Sequence, residues 1–477
     1  MSSLLHNGVA LVAGRIALSV ARMLAAVAVA RLAGAEDFGA YALLLSLIGL
    51  FEWLVDFGQT DMAVRDMARR PHRRAAVLDA LARAKRIQGL AGALGLPLLL
   101  MAAGQDRAIV LAGCAGSIAV LASARLQPAR ALLRLMLRMD RDVGAEMIGV
   151  LIMLPLLALA CFTHAPLPLL VASFAVARLV QAALTIAWAG PIGMRRDARI
   201  GWARLTRRAF PLGCAGLLVL LYDALAPLLL ARLMDMQAVA LYAAAARFIF
   251  PVLVAVQAIN GAFFPVIARQ WRRDPVACAW SQHSALLLSV ALAALLFAGI
   301  HGSATFLMGL MGPEFAGGAG LLRLMAWVLP ARAITTAMSP LIVIAGRQGR
   351  AMALTLVALM AQVAALLLLV PRIGLMGAGL GYLLVELLLG TVAVSWIGQV
   401  AAGVAIDWRG VALVLAIATS AVLLVDASPV AGSLTGGVAA GLIVLGALLL
   451  AARLARAQVA PLWQAVRQGR GPIGDVA

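Results

Sequence analysis

Hydrophobic positions along this chain occur in long continuous blocks, and not in the alternating or one-sided patterns of a soluble protein. Each block is about 20 residues long, the length that a helix needs to cross a hydrocarbon core of about 30 Å. The pattern predicts an all-α integral membrane protein with about fourteen transmembrane helices. The predicted helices cover residues 9–32, 38–60, 87–104, 108–127, 144–163, 166–189, 210–233, 238–267, 284–311, 318–345, 351–370, 374–402, 409–426 and 431–452.

The polar gaps between the blocks predict how the chain is oriented. The second gap is strongly basic and carries Arg65, Arg69, Arg70, Arg73, Arg74, Arg83, Lys85 and Arg86. Later even-numbered gaps are basic as well, whereas odd-numbered gaps are short and mostly carry acids such as Glu36 or Asp235. Because basic loops stay on the cytoplasmic side, both termini are predicted to be cytoplasmic. No gap is long enough to form an extracytoplasmic catalytic domain.

Composition agrees with this assignment and limits the possible partners. The chain is 64% hydrophobic and 12% charged, with a mean hydropathy of +1.01. The net charge of +19 comes almost entirely from arginine in the gaps, so it predicts loop topology and no nucleic-acid partner. The four cysteines have neither disulfide nor metal spacing, and no nucleotide-binding motif is present, so no cofactor is predicted.

Short motifs recur at nearly one offset along the chain. Segments 28–41 and 229–242 share Ala-Arg-Leu and a later Tyr, 201 positions apart. Pro-Ala-Arg occurs at 128–130 and again at 330–332, 202 positions apart. Both offsets correspond to six helices, which predicts two pseudo-symmetric six-helix lobes around a central cavity. The predicted domains are an N-terminal lobe at 1–190, a C-terminal lobe at 191–403, an additional helix pair at 404–453 and a basic cytoplasmic tail at 454–477.

Two segments carry a resemblance to a known family. Residues 30–69 resemble the start of the polysaccharide flippases in the multidrug/oligosaccharidyl-lipid/polysaccharide exporter superfamily. The matching positions are Arg31, Gly34, Phe38, Gly39, Tyr41, Asp56, Phe57 and Gly58. Residues 371–390, PRIGLMGAGLGYLLVELLLG, resemble the family's Pro-x-x-Gly-x-x-Gly-Ala segment that opens helix 12, although Gly379 and Gly381 stand where small residues such as Ala are usual.

The resemblance implies a function for the whole chain. It implies a flippase of the bacterial inner membrane that moves undecaprenyl-pyrophosphate-linked oligosaccharides for O-antigen, capsule or exopolysaccharide synthesis. Alternating access between two lobes and coupling to H+ or Na+ are part of this expectation. The expected partners are the lipid-linked oligosaccharide, membrane lipid, a glycan polymerase and a chain-length regulator. The resemblance does not reveal which sugar is carried.

Several arginines interrupt the apolar blocks and are predicted to face a cavity. Arg or Asp near the centre of a membrane helix costs about 2.5–3.5 kcal/mol, so such residues usually face a bundle interior or water. A guanidinium binds pyrophosphate through bidentate, charge-assisted hydrogen bonds. Snorkelling to the interface or pairing with an acid is the alternative explanation. The predicted cavity cations are Arg15, Arg22, Arg178, Arg247 and Arg332.

Acidic residues in the blocks allow two interpretations. Glu52 and Asp56 lie four positions apart on the second helix, so they share one face. Such a pair suits proton binding and release, or it neutralises arginines of the first helix. Asp223 and Glu386 interrupt later blocks and are also predicted to take part in ion coupling or in charge pairs.

Two other functions compete with the flippase. A drug or organic-cation exporter of the same superfamily would favour an acidic and aromatic cavity, whereas this chain places arginine in its spans and is only 5% aromatic. A membrane glycan polymerase or ligase would need a sizeable periplasmic loop. The sequence therefore favours a transporter over an enzyme, with a non-transporting relative of the flippases as a further alternative.

Overall fold

The computed structural model describes residues 2–190, 202–271, 273–400 and 408–467. Within these ranges almost every residue is helical and no β-strand occurs, which confirms the predicted all-α class. Two parts of the prediction lie outside the described residues. They are residues 191–201 of the basic gap before the seventh span, which include Arg195, and residues 468–477 of the predicted tail; the end of the predicted helix 374–402 also lies within the undescribed residues 401–407.

The chain forms helices α1 to α17. The first half comprises α1 (Ser2–Ala33), α2 (Ala35–Asp56), α3 (Gln59–Arg69), α4 (Arg74–Ala102), α5 (Arg107–Leu135), α6 (Met139–Phe162) and α7 (Leu167–Ala189). The second half comprises α8 (Trp202–Leu233), α9 (Met236–Gln270), α10 (Pro275–Gly302), α11 (Ala304–Met311), α12 (Ala319–Ala326), α13 (Val328–Ile344), α14 (Gln348–Ile373), α15 (Leu375–Val400), α16 (Trp408–Asp426) and α17 (Leu434–Arg467). Short 3₁₀ turns, Pro71–Arg73 and Pro313–Gly318, precede α4 and α12.

Twelve stretches of the described residues are long and apolar enough to cross a membrane, and the chain is therefore a multi-pass membrane protein. They correspond to twelve of the fourteen predicted spans. The other two predicted spans are also helical. One is the end of α4, where the apolar part begins only after Lys85 and Arg86. The other is Leu434–Leu450 of α17, which is apolar but shorter than the rest.

Three helix boundaries differ from the prediction. The predicted second helix ends early at Asp56, and the charged gap after it forms the amphipathic helix α3, with Met67 buried and Arg65 exposed. The predicted helix at 284–311 begins earlier and breaks at Ser303. The predicted helix at 318–345 is divided into α12 and α13.

The helices form two six-helix lobes with the same pattern of packing. In the first lobe, α1 packs on α6, α6 on α7, α7 on α5, α5 on α4, and α2 on both α4 and α5. In the second lobe, α8 packs on α14, α14 on α15, α15 on α13, α13 on α10, and α9 on both α10 and α13. Helices α16 and α17 pack against α10. The matching helix contacts of the two lobes are what an internal duplication requires. The residue bounds of the predicted domains remain a prediction.

The lobes meet at both ends of α2. At its N-terminal end, a Cβ on Gly39 would lie 2.2 Å from the carbonyl oxygen of Met236 in α9, so only glycine fits there. The Phe38 ring lies edge-on to the Phe315 ring, with 5.6 Å between the ring centroids. This end of the boundary between the lobes is therefore closed.

The C-terminal end of α2 packs on α8. Trp53 Nε1 donates a hydrogen bond to the Gly213 carbonyl oxygen at 3.3 Å. Phe57 and Phe210 are in ring contact at 5.7 Å between centroids. The two lobes are therefore in contact at this end of α2 as well.

A buried lysine fixes the bend between α2 and α3. Phe57 and Gly58 both have positive φ, 44° and 69°, so the chain turns there and α2 ends. Lys85 is 1% exposed, and its Nζ donates to the carbonyl oxygens of Val55 at 2.6 Å and Asp56 at 2.9 Å. These carbonyl oxygens stand at the C-terminal end of α2, where the helix dipole places partial negative charge. The Lys85 ammonium group compensates that charge.

Replacing this lysine with an apolar residue is expected to destabilise the protein. Lys85→Met leaves two buried carbonyls without their donor and Asp56 without its cation, which should lower the free energy of unfolding by about 3 kcal/mol. The measurement is the thermal unfolding temperature of the purified protein in detergent. Arg86→Met is the matched control, because Arg86 is the next residue and is exposed. An equal unfolding temperature for both variants would contradict the role of Lys85.

Candidate functional site

Three of the predicted arginines line one cavity between the lobes. The cavity is lined by residues of α1, α2, α6 and α7 in the first lobe and of α9 in the second. Arg22 comes from α1, Arg178 from α7 and Arg247 from α9. Each of the three lies within a candidate membrane span. The second lobe thus contributes a cation to a wall made mainly by the first.

Helical spacing explains how these side chains reach the cavity. Ala25 and Ala26 follow Arg22 by three and four positions, so they share its face of α1 and leave room beside the guanidinium. On α7, Phe174 and Gln181 lie four positions before and three positions after Arg178, and all three line the cavity.

A chain of ion pairs runs along the first-lobe side of the cavity. Arg22 is paired with Glu146, and Arg178 Nη1 lies 3.6 Å from the same carboxylate. Arg178 Nη2 donates to Glu52 Oε2 at 2.9 Å. Glu52 also accepts a hydrogen bond from Ser123 Oγ at 2.6 Å. Two carboxylates therefore balance two guanidinium groups.

The Arg178 side chain is held from several sides. Besides its two acids, it donates to Gln181 Oε1 at 2.8 Å, and its guanidinium lies 5.1 Å from the centre of the Phe174 ring. Its side chain is only 16% exposed. Arg178 is therefore a fixed part of the wall, whereas the Arg22 side chain is 43% exposed.

Arg247 differs from the other cavity arginines. Among the residues that the structure describes, it has no ion pair and no side-chain hydrogen bond. Tyr41 and Arg22 are its charged or polar neighbours. The cavity thus carries an excess of positive charge, and Arg247 keeps its donors available for an anion.

A second polar cluster lies inside the second lobe. Arg332 in α13 donates to Asp223 Oδ1 at 2.9 Å, Glu386 Oε1 at 3.0 Å and the Tyr382 hydroxyl at 2.6 Å. The Tyr222 hydroxyl donates to Glu386 at 2.9 Å. Two carboxylates face one guanidinium, so this cluster has an excess of acid.

The structure does not bring every predicted site residue into the cavity. Neither Arg332 nor Arg15 is among the residues that line it, and Arg15 is exposed on α1. Asp56 does not join Glu52. Its carboxylate accepts from Thr60 and lies 3.5 Å from Lys85 Nζ at the bend after α2.

Two other charged residues, Arg130 and Glu146, form ion pairs in the first lobe. Arg130, whose place relative to the cavity the sequence leaves open, pairs with Asp142 at 2.9 Å and is not a lining residue. Glu146 is not predicted from the sequence, because it stands near the start of a predicted helix among loop charges. The sequence feature that could predict its role is its position four residues after Asp142, which places both carboxylates on the same face of α6.

The overall fold is similar to that of known lipid and drug transporters. A structure of the lipid II flippase MurJ in an inward closed conformation matches with a TM-score of 0.78 at 9% identity, over 94% of this chain and 99% of that one. An inward-facing multidrug resistance MATE family transporter of the MOP superfamily matches with a TM-score of 0.62 at 15% identity, over 81% and 95% of the two chains. A MATE structure in a bent conformation gives a TM-score of 0.57.

The sequence comparison identifies the family. Residues 4–271, more than half of the chain, match the family described as polysaccharide biosynthesis protein. The chain therefore belongs to the polysaccharide biosynthesis protein family, which confirms the resemblance seen in its sequence. A search of curated proteins finds no match.

The ion-pair chain predicts a difference between two of the cavity arginines. Arg178→Met leaves Glu52 and Glu146 short of a cation within the membrane, so the amount of folded protein and its unfolding temperature should fall clearly. Arg247→Met removes no such pair and should leave both nearly unchanged. Adding Glu52→Gln to Arg178→Met should restore part of the loss. Equal stability of the two single variants would contradict the pairing.

Proposed function

We propose that this protein flips undecaprenyl-pyrophosphate-linked oligosaccharide across the bacterial inner membrane for O-antigen, capsule or exopolysaccharide synthesis. The observation that carries the proposal is the unpartnered guanidinium of Arg247 in a positively charged cavity between two lobes. Membership of a polysaccharide biosynthesis family supports a glycan-related cargo. The sequence-based expectations of an inner-membrane location and cytoplasmic termini belong to the same proposal.

The pyrophosphate is the part of the cargo that this cavity suits. Its negative charge is dense, and guanidinium groups bind phosphate oxygens bidentately while keeping their own charge. In this proposal Arg247 supplies donors from the second lobe and Arg22 supplies them from the first. Arg178 keeps Glu52 and Glu146 neutralised, so that these acids do not repel the headgroup.

Alternating access is the proposed mechanism of transport. Both ends of α2 contact the second lobe in this conformation. Release of the contacts at one end of α2 at a time would open the cavity to one side of the membrane while the apolar carrier tail stays in lipid.

The charge of the cavity argues against the competing exporter function. An organic cation entering it would meet Arg22 and Arg247 before any unpaired acid. Like charges in a low-dielectric site repel, so cation binding there is disfavoured.

Removing the free cavity arginine is expected to stop transport. Arg247→Ala should weaken binding of a prenyl-pyrophosphate at least about tenfold, because hydrogen bonds to charged groups contribute about 1.5–3 kcal/mol. The measurements are binding to the purified protein and surface polysaccharide in cells, with protein abundance in the membrane as a control. Arg22→Ala should also lower export.

The matched control is Arg372→Ala, because Arg372 is exposed at the end of α14, outside the cavity. Unchanged surface polysaccharide and unchanged binding in Arg247→Ala would contradict the proposed role of the cavity.

The second-lobe cluster is the proposed site of ion coupling. Asp223 and Glu386 share the single guanidinium of Arg332, so one negative charge remains unbalanced. Uptake of H+ or Na+ by this cluster would neutralise the charge. The helices involved, α8, α13 and α15, would then pack differently with and without the ion. A glycan polymerase and a chain-length regulator remain predicted partners.

Loss of an acid in this cluster should separate coupling from binding. In vesicles containing the purified protein, an imposed H+ or Na+ gradient should accelerate flipping by the unaltered protein. Asp223→Asn should abolish the acceleration and leave prenyl-pyrophosphate binding at Arg247 unchanged. Flipping by Asp223→Asn that responds to the gradient as before would exclude a coupling role for this carboxylate.

A further inference from the structure

A basic groove lies outside the cavity, on the side of the molecule that carries the arginine-rich gaps. It runs between α3 of the first lobe and the start of α8 in the second. Two adjoining pockets form it, and both are lined by Asp66, Arg70 and Arg208. The remaining arginines of the groove, which line one pocket each, are Arg65, Arg69 and Arg73.

The guanidinium groups of the groove exceed its acids. Arg208 Nη1 lies 3.3 Å from Asp66 Oδ2, an ion pair that joins the two lobes. Among the described residues, the side chains of Arg65, Arg69, Arg70 and Arg73 have no ion pair or hydrogen bond. Four guanidinium groups therefore face one shared concave surface with their donors free.

The floor of the groove is apolar. Buried Val77 and Ala80 of α4 and Leu205 of α8 lie beneath the arginines of the first pocket, and Met62 of α3 lines the second. The groove therefore combines a cationic rim with an apolar base. A ligand that fits it has phosphate groups attached to an apolar body.

We infer that this groove binds the headgroup of an anionic phospholipid from the surrounding bilayer, bridging α3 and α8. Basic pockets between membrane helices on the positively charged side are suited to such headgroups. Phosphate oxygens accept hydrogen bonds from the free guanidinium groups, and the glycerol and first methylenes cover the apolar floor. Because the two walls belong to different lobes, a bound lipid holds this end of the lobe boundary closed.

The test uses the full-length protein purified in detergent and measures retained and added lipid by native mass spectrometry. The probes are phosphatidylglycerol, cardiolipin, phosphatidylcholine and sodium pyrophosphate. The unaltered protein should bind the two anionic phospholipids in preference to phosphatidylcholine. Arg70→Ala with Arg73→Ala should bind them at least about tenfold more weakly, because each arginine near an anionic lipid contributes substantially.

Arg347→Ala with Arg350→Ala is the matched control. These two arginines have the same spacing as Arg70 and Arg73 but lie outside the groove, and this variant should bind lipid like the unaltered protein. Arg69→Gln with Arg73→Gln is a second groove variant in case the first does not fold. The inference is independent of the transported cargo, so the result does not depend on the proposed flippase activity.

Three results would overturn the inference. They are equal binding of phosphatidylcholine and anionic phospholipid, anionic lipid binding that survives in both groove variants, and binding of sodium pyrophosphate in place of phospholipid at the groove. The last result would assign the groove to a soluble or carrier-linked phosphate instead of a bilayer lipid.

Discussion

The structure depends on pairing charges inside membrane-spanning helices. Unpaired carboxylates or guanidinium groups in these spans would each cost several kcal/mol. In the first lobe, Glu52 and Glu146 offset this cost by holding Arg178 and Arg22. These ion pairs connect α1 and α7 to α6, and α7 to α2. They also leave Arg247 as a cation whose donors face the cavity.

The two lobes share a packing pattern but differ in charge. Arg22 and Asp223 stand 201 positions apart, the same offset that relates Tyr41 to Tyr242. Equivalent places on α1 and α8 therefore carry opposite charges. The first lobe contributes cations to the central cavity, whereas the second lobe encloses an acid-rich cluster around Arg332. A duplicated fold with divided roles, one lobe for an anionic headgroup and the other for a coupling cation, fits this difference.

Much of the fold could be predicted from the sequence because membrane spans are set by the length of apolar runs. Arg22, Arg178 and Arg247 could be predicted as cavity residues because charge within an apolar run is costly. The ion pairs of Arg22 and Arg178 could not be predicted, because they depend on how the helices are rotated against each other. Asp56 was expected beside Glu52, but α2 ends there and the chain bends. Helix α3 was missed because its charged sequence has no apolar run.

The most direct test is a structure of the protein with a bound prenyl-pyrophosphate. The account predicts that the two phosphate groups lie in the central cavity within hydrogen-bonding distance of the Arg247 and Arg22 guanidinium groups, with Arg178 still paired to Glu52. The prenyl chain should lie outside the cavity, against the apolar surface of the helices. Phosphate groups bound elsewhere while Arg247 contacts no ligand would contradict the account.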